Sequence, residues 1–390
     1  MEIKQIYELV NEATKEIVGE ESLVKEDLSN LVDVGTAVFN ANSFDAFTKK
    51  LVDHIGRVVF VVRKYSGSAP SVLMDSFEYG SVMQKIRAEL PEAQENESWE
   101  LEDGVSYDPN IFKASQISAK FFNGKKVFEI QLSITEDQVK SAFSSAEQMN
   151  SFLSMLYNEV DKSLQVKIDA LIMRTINNMI GETIHDDYGS DSLSSKTGVK
   201  AVNLLKMYND EYGLTGANAL TKAKAYTNPD FIRYACYVLK YYADNLAKMS
   251  KLFNVGGTSK FTPREYLHLV MLSRFKAGAD VFLQSETFHD EFTRLPEAES
   301  VSCWQGTGTS FAISDVSKIS VKLCSDSSVE VTTDGILAVM FDRDALGVCN
   351  LKRKVTSNYN PRAEFTNLWY KHEANYFNDL DENFVVFFIQ

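Results

Sequence analysis

Two short clusters, His185-Asp186-Asp187 and His289-Asp290-Glu291, hold residue types that could bind a divalent cation. Neither has the i, i+4 ligand spacing of a helical metal site, and no H-E-x-x-H motif occurs. The other histidines, His54, His268 and His372, stand far apart in the chain. Gly256-Gly257-Thr258-Ser259-Lys260 has the residue types of a phosphate-cradling loop. It lacks the G-x-x-x-x-G-K-[ST] spacing and follows a helical pattern rather than a strand, so it reads as a plain loop. Gly306-Thr307-Gly308-Thr309-Ser310 reads as a turn. Cys236, Cys303, Cys324 and Cys349 are scattered without a C-x-x-C pair. That points to reduced thiols acting as small buried apolar residues, not to zinc ligands or disulfides. No G-x-S-x-G context supports a nucleophile. The expectation is a protein with no catalytic, cofactor-binding or metal-binding residues.

Composition narrows the class. The chain has 390 residues, long enough for two domains or for one domain with large insertions. It is 44% hydrophobic and 24% charged, ordinary globular usage. Apolar runs such as Val58–Val62 and Phe384–Ile389 are far short of a bilayer span, so no membrane partner is expected. The opening MEIKQIYELVNEATKEIVGEE lacks the apolar core of a secretion signal, so the protein is expected to stay where it is made. A net charge of −14 argues against a protein whose main task is gripping phosphates. Lys352-Arg353-Lys354 is the one compact basic run, and it reads as a solvated turn.

The elements follow from periodicity. Ile3, Ile6, Val10, Ala13 and Ile17 predict a helix within the first 32 residues, and a short helix follows over Phe44–Ile55. Arg57–Tyr65 reads as a strand. Alternation over Gln116–Phe121 and Val127–Leu132 predicts long strands, with Asn123-Gly124 as a tight turn between them. The acidic stretch Pro91–Asp108 cannot bury itself and should project, so this region reads as an extended β-arm. No Gly or Pro occurs from Lys125 to Ile180. Thr135-Glu-Asp-Gln138 and Ser144-Ser-Ala-Glu147 both match a capping box. These predict a short helix after Thr135 and a long one over Ser145–Ile180, closed by Gly181. The long helix has a stripe of Met149, Leu153, Leu156, Val160, Leu164, Ile168, Leu171, Thr175 and Met179.

His185–Lys200 is read as a loop. A helix capped by Asn228 with Pro229 at its first position follows over Asn228–Met249, then another over Thr262–Val270. Short alternating segments fill Val301–Val331. Gly335 opens a strand, Ile336–Phe341, and the last fifty residues read as strand, turn, strand, strand. The closing ENFVVFFIQ has the composition of a strand buried on both faces, paired in one sheet with Ile336–Phe341.

Tyr107-Asp-Pro-Asn-Ile-Phe-Lys113, the run FFNGKKVFEIQLSITEDQVKSAF over Phe121–Phe143 and the long helix after it resemble the major capsid proteins of tailed bacteriophages with the Hong Kong 97-like fold. So do DGILAVMFDRDALGV (Asp334–Val348), SNYNPRAEFTNLWY (Ser357–Tyr370) and ENFVVFFIQ, with Thr262-Pro263 to Phe292 and Tyr79-Gly80 in keeping. The resemblance runs from Leu31 onward.

What the resemblance implies is an α+β fold in five parts. An N-terminal arm covers 1–56, and an extended β-arm (the E-loop) with its base covers 57–132. A peripheral domain with a long spine helix covers 133–195, and an axial α/β domain covers 196–334. The C-terminal strands of 335–390 complete the peripheral domain. It implies self-assembly into pentamers and hexamers of an icosahedral shell, in a virion capsid put together in the host cytoplasm. The shell would enclose double-stranded DNA without sequence-specific binding, which suits the negative charge balance. A portal is implied, and a separate scaffolding protein, because the segment ahead of the resemblance is short. Crosslinks found in some relatives would need a Lys–Asn pair; Lys120, Lys125 and Lys126 lie on the arm with no partner identified. An encapsulin-like compartment shell would share the architecture, whereas a soluble α/β enzyme would need a deep pocket with convergent titratable groups.

Overall fold

The computed structural model describes residues 69–74, 83–88, 117–135, 146–284, 298–304 and 318–390, with parts of 98–114 and the positions Asn11, Asp33, Val34, Asp137 and Gln138. The expected helices over the first 32 residues and Phe44–Ile55, and the strand Arg57–Tyr65, lie outside the described residues, apart from helical Asn11.

Four strands come first: β1 (Leu73–Met74), β2 (Met83–Ala88), β3 (Ile117–Phe122) and β4 (Lys125–Thr135). Burial alternates along β2 and β4, as the period of two requires. The tight turn expected at Asn123-Gly124 does not make a hairpin: β3 pairs with β2 as a separate two-stranded ribbon, and β4 joins another sheet. The reason lies at Gly124, whose carbonyl accepts the Tyr376 N–H at 2.9 Å. A Cβ there would stand 2.6 Å from the Tyr376 carbonyl oxygen, so only glycine lets the chain cross from ribbon to sheet at this point. Gly124→Ala is therefore expected to cost about 1–3 kcal/mol, as overpacking against a fixed backbone does, read as a lowered urea midpoint.

The Thr135 capping box forms as read. The Thr135 N–H donates to Gln138 Oε1 at 3.1 Å, and the Gln138 N–H donates to Thr135 Oγ1 at 3.3 Å. The long helix, α1 (Ala146–Tyr188), has 43 residues, about 64 Å at 1.5 Å per residue. Its stripe is buried at Val160, Leu164, Ile168, Leu171, Thr175 and Met179; the side chains of Met149, Leu153 and Leu156 lie outside the described residues.

Gly181 does not close the helix. From 171 to 184 the helix is buried all round except at Arg174, and that packing outweighs the roughly 1 kcal/mol cost of a mid-helix glycine. The stop is Gly189, at φ +58°, whose N–H donates to the His185 carbonyl at 2.7 Å. His185 thus lies in the last helical turn and not in a loop.

Next come β5 (Ala201–Asn203), α2 (Leu204–Glu211) and α3 (Pro229–Leu246). The cap of α3 is as expected: Asn228 Oδ1 accepts from the N–H groups of Asp230 (2.9 Å) and Phe231 (3.1 Å). The helix expected over Thr262–Val270 is instead a 3-10 turn at Arg264–Tyr266 followed by β6 (Leu267–Leu272) and α4 (Ser273–Gln284). Leu267, Leu269, Val270, Met271 and Leu272 are all buried, and so short an apolar run has no period that separates an interior strand from a helix.

The remaining strands are β7 (Ala298–Val301), β8 (Lys318–Lys322), β9 (Glu330–Asp334), β10 (Ile336–Asp342), β11 (Leu346–Asn360), β12 (Phe365–Asn378) and β13 (Phe384–Phe388).

Two sheets organise these strands. One has the order β1-β11-β12-β4 and the other β5-β13-β10-β6-β7, with α1 packed against strands of both. Ile336–Phe341 and ENFVVFFIQ do share a sheet, with Val339 opposite Val386. The residues from 335 onward do not stay together, however. β11 and β12 pair with β4, while β10 and β13 join β5, β6 and β7 of the 196–334 segment. The long polar-and-apolar hairpin β11–β12 suits a sheet with one open face. β10, apolar up to its terminal Asp342, and the wholly apolar β13 must be interior strands covered on both sides.

Every residue from Phe384 to Ile389 is 1% exposed or less. Phe387 meets Tyr242 of α3 edge-on at 5.2 Å, and Phe388 meets Tyr188 of α1 at 5.9 Å on the opposite side. Gln390 is tied by its N–H to Asn203 Oδ1 (3.3 Å) and by its carbonyl to Asn203 Nδ2 (3.1 Å).

Candidate functional site

The β2–β3 ribbon pairs with neither sheet, so its two faces decide what holds it. Lys85 lies opposite Lys120 and Arg87 opposite Ser118, on one face with Met83 and Phe122. The other face carries Ile86 opposite Ala119, Ala88 opposite Ile117, and Gln84 opposite Phe121. The usual distribution is reversed. The charged face turns inward, while Ile86 (66%), Ile117 (68%) and Phe121 (64%) stand exposed, flanked by exposed Ala88 and Ala119.

The inward face meets the turn between β12 and β13. Lys85 Nζ reaches Asp379 at 2.9 Å and Glu382 at 2.5 Å. Arg87 spans all three carboxylates, with Asp379 at 2.9 Å, Asp381 at 2.5 Å and Glu382 at 2.8 Å. Lys120 pairs with Asp379 at 3.2 Å and also with Asp381. Lys260, from the glycine-rich loop, adds a contact to Glu382 at 2.8 Å.

The turn is itself fixed. The Asp379 N–H donates to the Ala345 carbonyl (2.7 Å), the Gly256 N–H to the Leu380 carbonyl (2.8 Å) and Thr258 Oγ1 to the Asp381 carbonyl (2.8 Å). Burial works to raise the Asp379 and Glu382 carboxyls, but the cations outweigh it and hold both below the usual carboxylate range. Burial likewise opposes the charge on Lys85, yet Glu382 and Asp379 raise its pKa above the ordinary lysine value.

The residues weighed for chemistry go elsewhere. Gly256–Lys260 clasps the acidic turn instead of cradling phosphate. Asp187 accepts the N–H groups of Lys200 (2.6 Å) and Ala201 (2.8 Å), and Asp186 pairs with Lys200, so both serve the entry to β5. His268 packs on Phe341, and His372 is buried beside Phe128; His54, His289 and the Gly306–Ser310 turn lie outside the described residues. Among the described residues no three His, Cys, Asp or Glu side chains gather as metal ligands.

Cys236 and Cys349 are buried, and burial pushes their thiols up to about 12 and about 11, so neither is a thiolate nucleophile at neutral pH. Cys303 is half-buried and Cys324 exposed, so the buried-residue expectation holds for two of the four. Of the arm lysines, Lys120 is held by Asp379 and Asp381, and Lys125 pairs with Glu373 at 2.9 Å.

The sequence reading passed over Lys85, Arg87 and Asp379-Leu380-Asp381-Glu382. Only the alternation of Met83–Ala88 hinted at a two-faced strand.

A sequence profile of the Phi29-like phage major capsid protein family matches residues 8–388. Among solved structures, the capsid of Staphylococcus phage Andhra is similar with a TM-score of 0.51 at 11% identity, over 84% of this chain and 86% of that one. A chain from the structure of the head fibre and inner core protein gp22 of bacteriophage P68 gives 0.51 at 11% identity, over 85% and 87%. At such identity these two likenesses establish the fold, a mixed α+β fold of phage capsids. A search of curated proteins returns no match. The matched span takes in the ribbon, α1, both sheets and the acidic turn, and on that ground the chain belongs to the Phi29-like phage major capsid protein family.

Proposed function

We propose that this major capsid protein builds its icosahedral shell from pentamers and hexamers in which 57–132 is an extended β-arm laid over a neighbouring subunit. The observation that carries this reading is the exposed apolar face of the ribbon, Ile86, Ala88, Ile117, Ala119 and Phe121. An isolated two-stranded ribbon is marginal in water, and one with its apolar side outward needs a second surface. In a shell of identical chains that surface is another copy.

The remaining division follows the sheets. The N-terminal arm is 1–56, and α1 with β1, β4, β11 and β12 forms the peripheral domain. The five-stranded sheet with α2–α4 forms the axial domain, so 335–390 is shared between the two. The enclosed double-stranded DNA is held without sequence reading, which the net charge of −14 favours. A separate scaffolding protein and a portal complete the proposal, on the strength of the resemblance and not of any residue here. The family is one of structural proteins, so the enzyme alternative falls, and a phage capsid family likewise displaces the cellular-compartment reading. Negative-stain microscopy of the purified protein tests the arrangement. Closed shells, or rings of five and six subunits, are expected; a small monomer across salt and concentration conditions would overturn it.

A further inference from the structure

The ribbon's attachment to its own subunit has an unusual composition. Among the described residues it makes no backbone pairing with either sheet, and its inward face meets the body through charges and a ring contact, Phe122 to Phe377 at 5.4 Å. Lys85 and Lys120 are directly opposed, with Arg87 on the same side, a placement that repels itself unless carboxylates intervene. Four cations, Lys85, Arg87, Lys120 and Lys260, share three carboxylates, and Arg87 Nε is buried without an acceptor among the described residues. The turn on the other side is pinned to Ala345, Phe253 and the glycine-rich loop by backbone hydrogen bonds that do not involve the ribbon. Among the described residues, the polar bonds that would have to break for the ribbon to leave are therefore ones made by its side chains, to these carboxylates and, from Lys85, to the Asp344 carbonyl at 3.3 Å.

We infer that the ribbon is a releasable arm held to its own subunit by an ionic latch, Lys85, Arg87 and Lys120 on Asp379, Asp381 and Glu382, so that it opens as a unit while both sheets stay folded. This rests on the reading of 57–132 as the arm and names what regulates it. The same chain must fit pentamers and hexamers, and a charge-held arm can be re-aimed without disturbing the core strand β13 that follows the latch turn.

The pH dependence has a definite sign. The groups facing one another are the three ribbon cations, Lys260, the three carboxylates, and Asp342 behind Glu382. Asp379 and Glu382 are depressed, so their contribution is complete above the unfolded carboxylate range near pH 4 and is lost as pH falls below it. The raised Lys85 keeps its share at all pH values below the ordinary lysine range.

Hydrogen–deuterium exchange on the unassembled full-length subunit tests the latch. In Lys85→Glu, exchange over 83–88 and 117–122 should rise about tenfold or more, since a reversed charge meets Asp379 and Glu382 directly and a two-stranded ribbon freed from the body does not hold its own pairing in water. Exchange over 384–388 should not change, and Lys85→Arg should keep wild-type protection. Unchanged ribbon exchange in Lys85→Glu would overturn the proposal. So would loss of protection at 384–388 together with the ribbon, which would make the charges part of the core. Failure of the arm reading has a different mark: Phe121→Asp would then leave assembly intact, whatever the latch variants do.

Discussion

A chain cut after Asn383 is expected not to fold. It loses Phe384, Val385, Val386, Phe387, Phe388 and Ile389, each 1% exposed or less. At about 1.5–3 kcal/mol for each fully buried side chain, the loss is about 9 to 18 kcal/mol, against a typical total stability of about 5–15 kcal/mol. The damage also spreads through pairing. β5 is bound into its sheet through β13, and β10 would lose one of its two neighbours. Tyr242 and Tyr188 would lose the rings they pack on. Expression of the truncated chain should give insoluble protein or a circular-dichroism trace without a cooperative melt, and no particles by microscopy. The single change Val386→Asp, a charge between two strands at a fully buried position, should act in the same direction. A soluble truncated chain that still forms shells would show the last strand to be dispensable.

That strand was legible because burial on both faces leaves an unbroken run of β-branched and aromatic residues, and its pairing with Ile336–Phe341 was legible with it. Its other partner was not, since Ala201–Asn203 lies in the middle of the chain and only the three-dimensional register joins the two. Local chemistry was readable where it was self-contained. The Thr135 and Asn228 caps need only the next three residues, and both form as read. Gly181 misled because tertiary packing on all sides of α1 carries the helix through it, and Gly189, eight residues later, takes up the left-handed stop. β6 misled because five apolar residues in six have no period. The latch was hidden for a plainer reason: Lys85 and Glu382 are 297 residues apart, and nothing local marks either as paired.

Phe121→Asp combined with Ile86→Asp is expected to abolish shell assembly while leaving the subunit's melting temperature within a degree or two of wild type, as surface changes do. Both side chains are about two-thirds exposed in the subunit, so the body loses little packing when they change. In the shell the same residues would be covered by a neighbour. Each buried apolar side chain contributes about 1.5–3 kcal/mol there, and a carboxylate in its place adds a desolvation cost. A loss of about 3 kcal/mol per contact already weakens association more than a hundredfold, and every subunit of a shell makes the contact. Light scattering across a concentration series should show the double variant remaining small where wild type forms particles. Exchange over 83–88 and 117–122 should stay protected, because the latch face is untouched. Gln84→Ala, on the same face but adding no charge, should assemble normally. Assembly of the double variant at wild-type concentration would mean that the apolar face is not an interface. The ribbon would then need another reason for turning its charges inward and its phenylalanine out.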